Sequence, residues 1–165
     1  MNKIMIFGRP GSGKSTFAYQ LAEKTGLPLH HLDKHFFVAG WVERNNQEFM
    51  RIQEDITKGS AWIIDGNSTR SLETRWKNAE LVLYFNYSRV VCLFRLLKRL
   101  FVKAIHIDDR ADNCPEVLRF KLIKYMWTFE TRVKQAIVAL KAKYPSAKFI
   151  EINSDKDLEN VEAMI

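Results

Sequence analysis

Residues 8–15 have the spacing G-x-x-x-x-G-K-S and follow an apolar run at residues 4–7. Glycines at these positions let the backbone fold around an anion, so that successive N–H groups point at phosphate oxygens. The lysine can bridge two phosphates, and the next hydroxyl can bind magnesium. The motif therefore predicts a site for a nucleotide's phosphates and Mg²⁺. Its residues are Gly8, Gly11, Ser12, Gly13, Lys14 and Ser15, with Thr16 included by position although its side chain is expected on the helix surface.

Two aspartates follow predicted strands. Asp65 comes directly after the apolar run at 61–64, and Asp33 follows the run at 27–31. Because ligands of parallel sheets bind at the carboxyl ends of the strands, both carboxylates would lie beside the phosphate loop. Asp65 could hold Mg²⁺ through water, or be a turn-forming Asp-Gly. Asp33 could orient or deprotonate an attacking hydroxyl, or cap the next helical turn.

Three arginines could bind an anion. Arg95 and Arg99 stand four residues apart, on one face of a predicted helix, where like charges repel. An anion between them would relieve that repulsion, and Arg110 in the polar stretch 106–115 could close over it. A solvated basic face is the alternative.

Five short apolar runs separated by helical patterns predict alternating strands and helices. Their β-branched and aromatic residues show little polar alternation, which favours strands buried on both faces of a parallel sheet. The runs lie at 3–7, 27–31, 61–64, 81–85 and 148–152, and the helices are expected at 14–25, 46–58, 89–105, 116–143 and 156–165.

Composition limits the class of protein. The 165 residues are 47% hydrophobic and fit one domain, residues 1–165. The formal net charge of +7 favours phosphorylated partners. Nucleic acid is possible but not favoured, since no DNA-reading motif is recognisable. No apolar stretch could span a bilayer and the N-terminus does not read as a signal peptide, so we expect a cytoplasmic protein without a membrane partner. Cys92 and Cys114 are expected as reduced thiols, and His30, His31 and His35 as core or rim residues.

Over nearly its whole length the sequence resembles the nucleoside monophosphate kinases, adenylate kinase especially, and more closely the small adenylate-kinase-like topology modulation proteins. The phosphate loop carries the most specific part of this resemblance, and the other segments are specific only together. These are Leu32-Asp33 with Gly40-Trp41, the run from Trp62 to Asn67, the Arg95-x-x-x-Arg99 pair, and Cys114-Pro115-Glu116.

The resemblance implies roles on the nucleotide side. Arg95 would lie over the adenine ring and Arg99 would contact the phosphates. Arg110 would belong to a short lid at about 104–116, and Arg132 could join it. The loop containing Asn153 and Ser154 would recognise adenine through its backbone.

The departures from adenylate kinases fall on the acceptor side. Phe36 stands where those enzymes place an arginine, and Arg70 comes one position late after the Asp-Gly pair. The acceptor pocket would therefore have a different shape, and AMP is in doubt as the acceptor. The residues expected to bind the substrate are Asp33, Trp41, Asp65, Asn67, Arg70, Arg75 and Arg132.

Together these observations predict a three-layer α/β fold with a five-stranded parallel sheet, in the order 2-3-1-4-5 by resemblance. The predicted reaction is transfer of the γ-phosphoryl group of Mg-ATP to a small acceptor. The catalytic residues would be Lys14, Asp33, Arg99 and Arg110, and the metal ligands Ser15 and Asp65. The alternatives are an ATP-dependent DNA-binding regulator and an ATPase without a dedicated acceptor.

Overall fold

The computed structural model describes residues 1–38, 42–101 and 120–165. Its main sheet has five parallel strands in the order β2-β5-β1-β6-β7, which is 2-3-1-4-5 when only these strands are counted. A separate antiparallel pair joins β3 to β4. The predicted α/β class is confirmed. The strands are β1 (Lys3–Gly8), β2 (Leu29–His31), β3 (Phe37–Val38), β4 (Val42–Glu43), β5 (Trp62–Asp65), β6 (Leu81–Phe85) and β7 (Lys148–Ile152).

The helices described are α1 (Lys14–Thr25), α2 (Leu32–Phe36), α3 (Asn46–Lys58), α4 (Leu72–Trp76), α5 (Arg89–Phe101), α6 (Phe120–Lys143) and α7 (Asp155–Met164). The predicted bounds of α1 and α3 are confirmed. Gly26 ends α1 with a left-handed φ of 71° and donates its N–H to Ala22 O. The Asn45 side chain caps α3 by accepting the N–H groups of Gln47 and Glu48. The short α2, α4 and β3–β4 pair were not predicted.

One apolar core lies on each face of the sheet, and α6 contributes to both, with Met126 in one core and Phe129 in the other. Ile4 and Ile6 of β1 face a core that includes residues of α1, α5 and α7. Met5 and Phe7 face the opposite core, which includes residues of α3, α4 and α6. The alternation of side chains along a strand therefore produces the predicted three layers.

The register of the strands brings the polar residues to one edge of the sheet. His31 at the end of β2 pairs with Asp65 at the end of β5. Asp65 also aligns with Ile6 of β1, while Gly8 aligns with Phe85 of β6. The phosphate loop and the carboxylate predicted to bind magnesium thus leave the sheet side by side.

Some predictions fall outside the described residues. These are the predictions for Trp41, Arg110, Cys114 and the lid at 104–116. The last residues predicted for α5, 102–105, and the first residues predicted for α6, 116–119, also lie outside. Cys92 is buried as a free thiol. In the part of the chain that the structure describes, no helix combines the length and apolar character needed to cross a membrane.

Candidate functional site

The loop between β1 and α1 is a cradle built around glycine. Gly11 and Gly13 have φ values of 82° and 91°, which residues with a Cβ rarely adopt. A Cβ on Gly11 would also lie 2.5 Å from Cys92 O, inside the α5 backbone. The Ser12 hydroxyl is buried and hydrogen-bonds no group among the described residues. The loop therefore combines a close-packed backbone with a buried hydroxyl that no described residue hydrogen-bonds.

Three charged or polar groups converge at the mouth of this cradle. Lys14 Nζ lies 3.6 Å from Asp65 Oδ1 and donates a 3.2 Å hydrogen bond to Ser15 Oγ. Asp65 Oδ2 lies 3.0 Å from His31 Nδ1. His31 was expected only as a core or rim residue, and its contact with Asp65 was missed because it depends on the pairing of β2 with β5.

The Asp65 carboxyl group is held in its charged form. Burial alone would raise its pKa, but the Lys14 ammonium, the His31 contact and the Ser15 hydroxyl together lower it to about 2. Asp65 Oδ1 is buried and hydrogen-bonds nothing within the described ranges. An ionised oxygen without a hydrogen bond, next to a serine hydroxyl, is a donor set that suits Mg²⁺ through water. Ser15 and Asp65 therefore fit the predicted metal.

Asn67 connects the loop after β5 to the phosphate loop. Its side-chain Oδ1 accepts a 2.9 Å hydrogen bond from the Gly8 N–H. Its backbone oxygen accepts a 3.2 Å hydrogen bond from the Tyr125 hydroxyl on α6. Both oxygens of Asn67, a residue predicted to bind the substrate, thus accept hydrogen bonds within the protein.

Arg75 differs most from its predicted role. It is 0% exposed, and its guanidinium donates to the carbonyl oxygens of Gly66 at 2.9 Å and Ser68 at 2.6 Å. Burial lowers the pKa of Arg75 to about 9, against the opposing effect of the Asp65 charge, so that it remains a cation at neutral pH. The geometry makes it a support of the loop at 66–71, and this replaces the expectation of direct substrate contact.

The residues predicted to bind the acceptor lie on α2, in the loop after β5 and on α6. Asp33 is exposed and lies inside the first turn of α2, whose N-cap is His31, so the capping alternative for Asp33 is wrong. The charge of Asp33 acts on Tyr125 and helps burial to raise the pKa of that hydroxyl to about 12. Arg132 lies over the Tyr125 ring, 5.5 Å from its centroid. Asp33 and Arg132 therefore flank Tyr125, which was not predicted.

Arg95 contacts the phosphate loop from α5. It donates a 2.9 Å hydrogen bond to Ser12 O and forms a 3.0 Å ion pair with Asp155. Its guanidinium lies 4.5 Å from the centroid of the Tyr87 ring. This network fixes Arg95 at the rim of the cradle, where a nucleotide would pass.

The loop after β7 is arranged as a helix cap. Ser154 caps α7, and Asp157 accepts the backbone N–H groups of both Asn153 and Ser154 at 3.0 Å. These two N–H groups are therefore already bonded. Adenine recognition by this loop would use its carbonyl oxygens or side chains.

The remaining predicted residues lie at or near the protein surface. Thr16 is exposed on α1 and Arg70 is exposed in the loop at 66–71. Arg99 is half-buried one turn after Arg95 on α5. Of the predicted site residues, the structure thus brings Lys14, Ser15 and Asp65 together.

Arg9 is a residue of the phosphate loop that sequence reasoning passed over. It is 2% exposed and donates to Glu130 Oε2 on α6 at 3.0 Å and to Asn86 Oδ1 at 3.2 Å. Its position is unspecified in the motif, so no local signal could have identified it. The ion pair attaches α6 to the phosphate loop.

Solved structures of other proteins share this architecture, although comparisons of sequence found no match. No protein-family model matches the sequence, and no curated protein is similar to it in sequence. Among solved structures, the shikimate kinase from Acinetobacter baumannii in complex with shikimate superposes with a TM-score of 0.63 at 14% identity, covering 99% of this chain and 93% of that one. The shikimate kinase from Bacteroides thetaiotaomicron gives 0.56 at 12% identity, covering 98% and 96%. An uncharacterized protein from Eubacterium ventriosum gives 0.55 at 17% identity, with the same coverage.

These likenesses show that this chain shares the α/β fold of the two shikimate kinases, with its five-stranded parallel sheet. At such low sequence identity, these likenesses are evidence for the fold and not for a shared substrate or activity. The resemblance to topology modulation proteins is not confirmed by them.

Proposed function

We propose that this protein is a kinase that transfers the γ-phosphoryl group of Mg-ATP to a small acceptor. The observation that carries the proposal is the convergence of Lys14, Ser15 and an ionised Asp65 at the mouth of a glycine cradle. The fold shared with two shikimate kinases supports the same reaction class. From the length and composition we further propose a single-domain cytoplasmic protein. From the sequence resemblance we propose a relation to the topology modulation proteins.

Binding and charge neutralisation would be the main contributions of the nucleotide side. Ser15 and Asp65 would hold Mg²⁺, which when bound neutralises charge on the phosphates. Lys14 would contact the phosphates from the cradle, and Arg95 would lie near the nucleotide at the rim of the cradle. Arg99 and Arg110 would add positive charge as the phosphoryl group moves.

The acceptor side supports a hydroxylated, anionic acceptor. The acceptor oxygen would form a bond to the γ-phosphorus while the bond to the β–γ bridging oxygen breaks, and Asp33 would orient the hydroxyl and take its proton. Arg132 beside Tyr125, together with exposed Arg70, would attract a carboxylate or phosphate. Shikimate, which one structural neighbour binds, combines hydroxyl groups with a carboxylate in this way.

An acceptor screen tests this proposal. Purified protein is incubated with Mg-ATP labelled in the γ-phosphate, and the panel pairs each hydroxylated carboxylic acid or sugar phosphate with a neutral polyol of similar size. Nucleoside monophosphates form a separate group. We expect label to pass to an anionic hydroxyl compound and not to its neutral counterpart. Release of labelled phosphate alone under every condition would indicate an ATPase, and the absence of any ATP-dependent thermal shift would exclude the nucleotide site.

A further inference from the structure

A fully buried polar network lies beneath the loop at 66–71. Gln53 on α3, Ser71 and Arg75 are each 0% exposed. The Ser71 hydroxyl donates to Gln53 Oε1 at 2.6 Å, and Arg75 Nε donates to Ser71 O at 3.4 Å. Burying a guanidinium is costly unless its donors are satisfied. An apolar side chain could fill the same space without this cost. The buried charge of Arg75 therefore indicates a role other than packing.

The donors of Arg75 are directed at the backbone on both sides of one residue. Its two terminal nitrogens bond to Gly66 O and Ser68 O, the carbonyls that flank Asn67. Charge-assisted hydrogen bonds of this kind fix geometry more strongly than neutral ones. The backbone at Asn67 is thereby held from below by Arg75, and the Tyr125 hydroxyl bonds to Asn67 O as a third attachment.

What this backbone presents to the active site is the Asn67 side chain. Its Oδ1 accepts the Gly8 N–H at 2.9 Å, at the point where β1 turns into the phosphate loop. Gly8 packs closely against β6, because a Cβ there would collide with Phe85. A displacement of Asn67 would therefore leave the Gly8 N–H without its partner at the start of the cradle.

We propose that Asn67 is a positioning residue for the phosphate loop, and that Arg75 holds it in place from the buried network. This inference rests on the proposed ATP site. It changes the expected role of both residues, which the sequence indicated as direct contacts of the substrate. It also links α3, which carries Gln53, to the nucleotide cradle through hydrogen bonds that are joined by Ser71 and by the backbone at 66–68.

A double-mutant cycle on ATP affinity tests the link. Asn67→Ala removes the acceptor of the Gly8 N–H, and we expect the Kd for a non-hydrolysable ATP analogue with Mg²⁺ to rise about tenfold. Arg75→Lys keeps the charge but loses the fork, and should weaken binding by a similar factor. Because both changes act through one hydrogen bond, the double variant should also lose about tenfold. Arg51→Lys, at an exposed arginine of α3, is the matched control and should leave the Kd unchanged.

The outcomes separate the inference from the function it rests on. A hundredfold loss in the double variant would mean independent effects and would overturn the link, as would an unchanged Kd for Asn67→Ala. If wild-type protein does not bind the analogue at all, the proposed function fails.

Hydrogen exchange at the Gly8 amide provides a second measurement that does not depend on Arg75 variants folding. Faster exchange in Asn67→Ala and in Tyr125→Phe, which removes only the hydroxyl bonded to Asn67 O, supports the link. Wild-type protection in both variants contradicts it.

Discussion

The nucleotide side and the acceptor side of the candidate site are built in different ways. The nucleotide side is one continuous segment, β1, the glycine loop and the start of α1, joined by Asp65 from the neighbouring strand. The residues predicted for the acceptor side are Asp33, Arg70 and Arg132, which belong to α2, a loop and α6 and are far apart in the sequence.

This difference shows where local spacing is sufficient and where it is not. In the glycine loop, neighbouring residues determine the shape, so the motif predicts the geometry. On the acceptor side, a residue type alone does not reveal which group it meets. Arg75 illustrates this, because it was predicted to contact the substrate and is buried beneath the loop at 66–71.

The largest expected effect tests the nucleotide side. Lys14→Ala should lower phosphoryl transfer by about 10³-fold, because a positioned cation stabilises charge in the transition state. It should also remove most of the stabilisation by Mg-ATP, which for the wild type is about 2.7 kcal/mol at a hundredfold excess over Kd. Single-turnover kinetics and thermal unfolding measure the two effects. Lys134→Ala, at an exposed lysine of α6, is the control, and equal behaviour of the two variants would contradict the assignment.

The acceptor side is tested by Asp33→Asn. We expect transfer to fall by about 10²-fold, because the amide can no longer take the acceptor proton. The Kd for ATP should stay the same, since Asp33 belongs to the other side. Single-turnover transfer with the acceptor from the screen, beside equilibrium ATP binding, makes the measurement. If Asp33→Asn lost ATP affinity by the same factor as it lost rate, Asp33 would contribute to ATP binding. The proposed separation of a nucleotide side and an acceptor side would then be wrong.

A pair of glycines tests whether the cradle depends on packing as well as on backbone conformation. Gly11→Ala should destabilise the protein by about 3 kcal/mol, from the left-handed φ together with the collision with Cys92 O. Gly26→Ala has a φ of 71° and no atom within 4 Å of the added Cβ, so it should cost only about 1 kcal/mol. Denaturant unfolding without nucleotide gives both values. Equal costs would show that the contact with α5 contributes nothing.

Acid stability gives the smallest expected effect. The pKa of Asp65 is about 2 in the folded protein, below its ordinary value of 3.8, so its contribution is present above pH 3.8 and is lost as the pH falls toward 2. We expect the free energy of unfolding of the wild type to decline by about 2 kcal/mol more than that of Asp65→Asn over this interval. Metal-free denaturation at several pH values measures the difference. Asp55→Asn, an exposed aspartate on α3, should behave like the wild type.

Several features followed from the sequence because their causes are local. The α/β class came from alternating apolar runs and helical patterns, and the end of α1 came from the glycine at position 26. The glycine loop and the place of Asp65 at a strand end required only the motif and the rule for parallel sheets. Short elements escaped this reasoning, since α2 and α4 have five residues each and no periodic pattern can be read over that length.

The tertiary structure decided how the side chains are used. Pairing of β2 with β5 set His31 against Asp65, and the Arg9–Glu130 ion pair attached α6 to the phosphate loop across 121 positions of sequence. Packing of α4 under the loop at 66–71 turned Arg75 toward backbone carbonyls. The sequence by itself determined the fold class and the phosphate loop, because strand, helix and glycine preferences act between neighbours. Only the tertiary structure decided the partners of the charged side chains, because hydrogen bonds between distant residues depend on the register and packing of whole elements.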